Sequence, residues 1–278
     1  MVRRKWGFLI FCLGALGVAA LSGCAARDAE VSLASSTRVE NLKVMGDVHL
    51  REGRYRAAMQ QYVEADRLGP NNAELKLLIG MIYSDYYKRL DEAIPYYQEA
   101  IRLKKDYSEA YNNLGTIYLR QSKWDEAISM FQKAIGNIYY STPEMAYYNM
   151  AAAYLGKGDY NKAIEYYRTV MELKPQNEDA YIHAGLIYEE QGQNAQALQS
   201  FQRARSILEK REPKKGKSSE AEWEAYRSAL AGVCYHQGAA FAKLRRFAEA
   251  REAYQKALEM APEGEVQKRI QQELQSLP

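Results

Sequence analysis

Apolar and polar positions along this chain follow a frame that is written several times over. An alanine recurs at Ala58, Ala93, Ala127, Ala163, Ala197 and Ala250, at separations of 35, 34, 36, 34 and 53 residues. Four residues after each stands an aromatic: Tyr62, Tyr97, Phe131, Tyr167, Phe201 and Tyr254. Seven residues after comes a second alanine at Ala65, Ala100, Ala134, Ala204 and Ala257, with Val170 in the fourth copy. Spacings of four and seven put all three side chains on one helical face. Twelve or thirteen residues before each alanine is a small residue: Gly46, Gly80, Gly115, Ala151, Gly185 and Gly238. A period near 34 predicts one supersecondary unit in six copies, each burying its neighbour's apolar face. The units fall at 39–72, 73–107, 108–143, 144–177, 178–211 and 231–264, with an insertion at 212–230. Val266, Ile270 and Leu274 then share a helical face within 265–278, which predicts a closing helix that caps the last unit.

This frame resembles the tetratricopeptide repeat. The resemblance implies an all-α fold: a right-handed superhelical solenoid of six helix-turn-helix repeats plus a C-terminal capping helix. Small residues let the two helices of a repeat approach closely, and the aromatic fills the gap against the next repeat. Tyrosines such as Tyr83, Tyr118, Tyr154 and Tyr188 bury their rings and keep their hydroxyls at the edge, which accounts for 23 tyrosines against 6 phenylalanines.

Three departures mark the frame. One extra residue in YYKRLDEA predicts a looser turn in the second repeat, and Pro95 near the start of its second helix is tolerated there because an N–H is dispensable. Two extra residues in GNIYYSTPE predict a helix break before Pro143. The insertion EPKKGKSSEAEWEAYRSAL begins as a basic loop and ends as an amphipathic run that lengthens the next helix.

In the family, the inner face of the superhelix is lined by recurring positions of each first helix, and this is the candidate partner groove. The first repeat contributes Glu40, Lys43, Asp47 and Leu50, and the second Leu77 and Met81. Asn112, Thr116 and Leu119 follow in the third, and Tyr148, Ala152 and Leu155 in the fourth. The later repeats add Ile182, Leu186 and Tyr235. The groove is polar at its entrance and apolar through its centre. Asn113, Asn149, His183 and His236 occupy one position in successive repeats, where side-chain donors and acceptors can pair with the backbone of an extended peptide.

Composition narrows the chemistry. The chain holds no Gly-rich phosphate loop, no HExxH and no paired-cysteine spacing, so neither a catalytic constellation nor a metal site is expected. The three histidines, at 49, 183 and 236, stand apart from any Ser, Cys or Asp constellation. Cys234 occupies a packing position, which predicts a buried, inert thiol. With 38 basic and 35 acidic side chains, there is no field for nucleic acid.

The N-terminus carries a different signal. Arg3, Arg4 and Lys5 precede an apolar stretch from Trp6 to about Leu21, which is short of the ~20 residues a bilayer span requires. It ends in Leu21-Ser22-Gly23-Cys24, which resembles the lipobox of bacterial lipoproteins. The resemblance implies removal of residues 1–23, a diacylglyceryl thioether and an N-acyl chain on Cys24, and no other cofactor. The same resemblance implies that Ala25, in place of Asp, favours the periplasmic face of the outer membrane. Residues 24–38 are expected to form the lipidated N-terminus and a flexible linker, whose roughly thirteen residues AARDAEVSLASST reach at most ~45 Å.

The central stretch from Tyr111 to Ile164, with its aromatic-Pro-Glu break, looks like the outer-membrane repeat lipoproteins of type IV pilus systems. Those proteins are pilotins, so the resemblance implies a non-enzymatic scaffold that binds secretin subunits and helps them assemble. The alternative is a periplasmic adaptor for cell-envelope enzymes, such as peptidoglycan hydrolases, or for outer-membrane protein assembly. Under either reading the partner is a protein or peptide segment, with no small-molecule substrate.

Overall fold

The computed structural model describes residues 35–214 and 216–278, all helix and connection with no strand among them. Helix α1 runs through 35–51, followed by α2 (Tyr55–Leu68), α3 (Ala73–Met81), α4 (Leu90–Leu103) and α5 (Ser108–Arg120). Then come α6 (Trp124–Ile135), α7 (Pro143–Gly156), α8 (Tyr160–Leu173), α9 (Glu178–Glu190) and α10 (Asn194–Lys210). The chain closes with α11 (Glu220–Lys243), α12 (Phe247–Met260) and α13 (Glu265–Ser276). The described residues divide within α5 into two compact units, one ending at residue 114 and the other beginning at residue 115.

The repeated frame is the core. The six frame alanines and the five that follow them are fully buried, as is Val170, and none of the six aromatics is more than 1% exposed. In five of the six repeats the aromatic lies against the glycine of its own repeat. A Cβ added at Gly46 would come within 2.4 Å of the Tyr62 ring, and one at Gly115, Gly185 or Gly238 within 2.6 Å of Phe131, Phe201 or Tyr254. The ring therefore occupies the notch left by the missing side chain, and its outer face is left for the next repeat. In the first unit Ala58, Tyr62, Ala65, Leu75, Ile79 and Ile82 form one buried cluster, with Val39, Leu42 and Tyr96 packed around it.

Helix starts follow local rules. Asn72 accepts from the Glu74 and Leu75 amides, Asn177 from that of Ala180, and Asp159 from that of Lys162. Ser219 and Glu222 close a capping box at the head of α11, where the insertion ends in helix. Pro143 opens α7 after the break.

Within each repeat the two helices join through a turn with one left-handed residue. It is Gly53, Gly158 and Gly192 in three repeats, but Lys88, Ser122 and Arg245 in the others, at φ 57°, 58° and 60°. A side chain there costs on the order of 1 kcal/mol, partly offset by the larger backbone entropy that glycine loses on folding. Ser122→Gly is expected to gain about 0.5–1 kcal/mol, read as a higher Tm by circular dichroism; an unchanged or lower Tm would contradict the strain.

Four sequence expectations are corrected. Residues 35–38, expected in the linker, already belong to helix α1. The extra residue of the second repeat leaves its turn intact: it is absorbed as a π-helical segment, Ile82–Tyr86, at the end of α3. In the third repeat the amide of Lys123 bonds to the Tyr118 carbonyl, whereas in the second that of Arg89 reaches one residue further back, to Tyr83. Pro95 is the sixth residue of α4, beyond the first turn, so its ring removes a helical hydrogen bond. In the closing helix only Ile270 is fully buried; Val266 remains 51% exposed.

Candidate functional site

In the second unit the predicted inner positions gather on α7, α9 and α11. Tyr148 on α7 is half-buried, with its ring centre 5.5 Å from Tyr167 of α8 and 5.8 Å from His183 of α9, both edge-on. Tyr167 and His183 stack at 5.5 Å. Burial pushes the Tyr148 hydroxyl up to about 12, so it is a donor at neutral pH. Burial pushes His183 below its ordinary 6.5 and favours the neutral ring. Ala152, Leu155, Ile182 and Leu186 are each partly exposed beside these rings in sequence register, an apolar strip along the first helices of repeats four and five.

Further along, His236 stacks on Phe201 at 5.3 Å, and its Nδ1 lies 2.9 Å from Glu189 Oε2. Lys243 donates to the other Glu189 oxygen at 3.0 Å. Burial alone would raise the Glu189 pKa, but these two contacts outweigh it and hold the carboxyl below its ordinary value. Tyr235 lies 5.8 Å from Tyr254, with the Arg269 guanidinium of α13 5.2 Å from its ring centre.

The Asn/His ladder has a structural use. Asn149 donates its amide to Thr116 Oγ1 at 3.4 Å, and His183 and His236 lay their rings on the aromatic of the preceding repeat. The ladder therefore ties successive repeats before it offers anything to a partner. In the first unit Met81 and Asn113 are partly exposed, while Leu77 and Asn112 are buried at 8% and 6% exposure. Lys43 at the polar end is held by Glu74 at 2.9 Å, with Asp47 and Glu40 near it. Leu119 on α5 is partly exposed.

Two contributors had escaped the sequence reading. Glu189 shares the register of Leu119 and Leu155, so position, not charge, would have found it. Asp179, at the head of α9, places its charge near Tyr148, Tyr167 and His183. The break before α7 also projects Ile138 and Tyr139 into solvent at 87% and 86% exposure.

Among the described residues no group of three His, Cys, Asp or Glu is placed to hold a metal, and no helix is long and apolar enough to cross a membrane. Cys234 is a buried free thiol whose pKa burial pushes up to about 11, so the unreactive thiol dominates at neutral pH. Cys24 lies outside the described residues.

Tetratricopeptide-repeat models match residues 88–122, 108–141, 145–177, 179–207 and 231–263, together more than half of the chain. Human protein O-mannosyl-transferase TMTC1 is 25% identical over 178 residues, 62% of this chain but only 20% of that protein's length. The crystal structure of PilW, a widely conserved type IV pilus biogenesis factor, superposes with a TM-score of 0.67 at 21% identity, covering 84% of this chain and 98% of PilW. Pseudomonas aeruginosa pilF superposes at 0.66 and 14% identity, covering 86% and 99%. At these identities the likeness is one of fold. The periodic alanines, the notched aromatics and the matched models agree: the chain belongs to the tetratricopeptide-repeat family.

Proposed function

We propose that this protein is a non-enzymatic, lipid-anchored scaffold that assists assembly of an outer-membrane secretin in a type IV pilus system. The observation that carries the binding role is the strip on α7 and α9, where Tyr148, Ala152, Leu155, Ile182 and Leu186 keep apolar surface accessible beside a neutral imidazole. Apolar groups held open to solvent by a rigid helical frame lower their free energy when a partner covers them. Aromatic anchors such as Tyr148 are the residue type that dominates such contacts.

Three observations support the secretin as the partner. The Cys24 lipobox would place the scaffold where secretins assemble. The fold runs the full length of PilW. The aromatic-Pro-Glu break exposes Ile138 and Tyr139 as a second apolar contact. Deleting the gene should abolish heat-stable secretin multimers while leaving monomer, and Tyr148→Ala should reproduce part of that loss with the protein still folded. Normal multimers in the deletion strain would refute the secretin role. Capture of peptidoglycan hydrolases by a photocrosslinker at Tyr148 would instead make the protein an envelope-enzyme adaptor.

A further inference from the structure

Helix α9 presents two faces. Ile182, His183 and Leu186 belong to the inner strip, whereas Tyr181, Ala184 and Tyr188 project, at about 100° per residue, roughly 170° away from it. This opposite face lies in a groove of about 610 Å³ bordered by Arg168 of α8 and by Gln196, Gln199 and Arg203 of α10. A smaller depression of about 380 Å³ shares Arg168, Tyr188 and Gln196, so the two are continuous. Glu165 and Glu172 line only the smaller one.

The larger part of the groove is lined by two arginines and no acidic residue. Arg168 donates to the Tyr188 hydroxyl at 2.7 Å, and the Arg203 guanidinium lies 6.0 Å from the Tyr181 ring centre. Neither forms an ion pair among the described residues, whereas Arg205 and Arg211 of the same region pair with Glu209 and Glu178. A guanidinium fork without an ion-pair partner matches a carboxylate in a bidentate pair. The exposed amides of Gln196 and Gln199, one helical turn apart, each offer a donor and an acceptor of the kind an extended backbone requires.

We propose that this outer groove docks an extended acidic segment of a partner protein, with its carboxylates on Arg168 and Arg203 and its backbone along the α10 glutamines. Glu165 and Glu172 repel acidic side chains from the smaller depression and so set the direction in which the segment lies. This site is independent of the inner strip, so the scaffold can hold two partner segments at once.

The test is fluorescence anisotropy with the detergent-solubilised full chain and a fluorescein-labelled peptide alternating glutamate and threonine, which places its carboxylates on one side when extended. Arg168→Gln with Arg203→Gln should weaken binding at least about tenfold, as should replacing the peptide's glutamates by glutamine. Arg168→Lys with Arg203→Lys should recover part of the loss, and Lys210→Gln, an exposed cation of α10 outside the groove, should leave the affinity unchanged. Unchanged melting of each variant by circular dichroism separates a lost contact from a lost fold. Equal affinity for the double glutamine variant, equal binding of the two peptides, or no binding at all would overturn the proposal, whatever the outcome for the secretin.

Discussion

Phe201→Ala is expected to cost about 3–5 kcal/mol of folding free energy, the range for emptying a fully buried aromatic site. The Phe201 ring is inaccessible to solvent, fills the notch at Gly185, and carries the His236 ring on its outer face. Truncation thus leaves a cavity inside repeat five and also removes its link to repeat six. Because stability in a repeat array is a sum of local and nearest-neighbour terms, protection from hydrogen exchange should fall first in α9, α10 and α11. Urea unfolding followed by circular dichroism measures the total, and a loss below about 1 kcal/mol would show that the notch is not what holds the repeat. Phe201→Tyr is a finer probe. Tyr62 donates its hydroxyl to Asp47 at 2.6 Å, and that of Tyr97 lies 3.0 Å from Ser84. In repeat five the register of Asp47 holds Leu186, so a hydroxyl introduced at 201 meets an apolar side chain and is expected to cost about 1–3 kcal/mol.

The same residues show what was legible in the sequence. The spacing from Ala197 to Phe201 to Ala204 defines a helical face, and a face repeated six times has to be buried, so the core could be read without coordinates. The extra residue in YYKRLDEA could be counted but not located. Whether it widened the turn or the helix depended on which carbonyl the Arg89 amide reached, a backbone choice that side-chain pattern does not encode. The Asn/His ladder was ambiguous for a chemical reason: an amide or imidazole that can serve a peptide can serve the adjacent repeat equally well. Charge misled at Glu189, because an acidic residue on a helix is ordinarily assigned to solvent, and only its contact with His236 and Lys243 shows it half-buried. The outer groove was not legible at all. It requires Arg168, Tyr188 and Arg203 from three helices, residues with no common spacing.

Cys24→Ala is expected to abolish incorporation of labelled palmitate and to remove the protein from the outer-membrane fraction. The apolar run ending at Leu21 is too short to span, and all four positions from Leu21 to Cys24 fit a lipidation site. Each buried acyl methylene contributes about 0.8 kcal/mol, and more than one chain is needed for stable anchoring. On the proposed lipidation, removing the thiol removes the atom to which the lipid would be attached. The variant retains its apolar leader, so it is expected with the inner membrane. A chain carrying a cleavable secretory leader in place of residues 1–24 is expected free in the periplasm. That second protein should unfold at the same urea concentration as the original, since the notches, turns and ring stacks that hold the repeats all lie beyond residue 38. Label persisting in Cys24→Ala, or an undiminished outer-membrane share, would sink the anchor. A folded but unanchored chain that still supported secretin multimers would show that the scaffold needs its groove and not its tether.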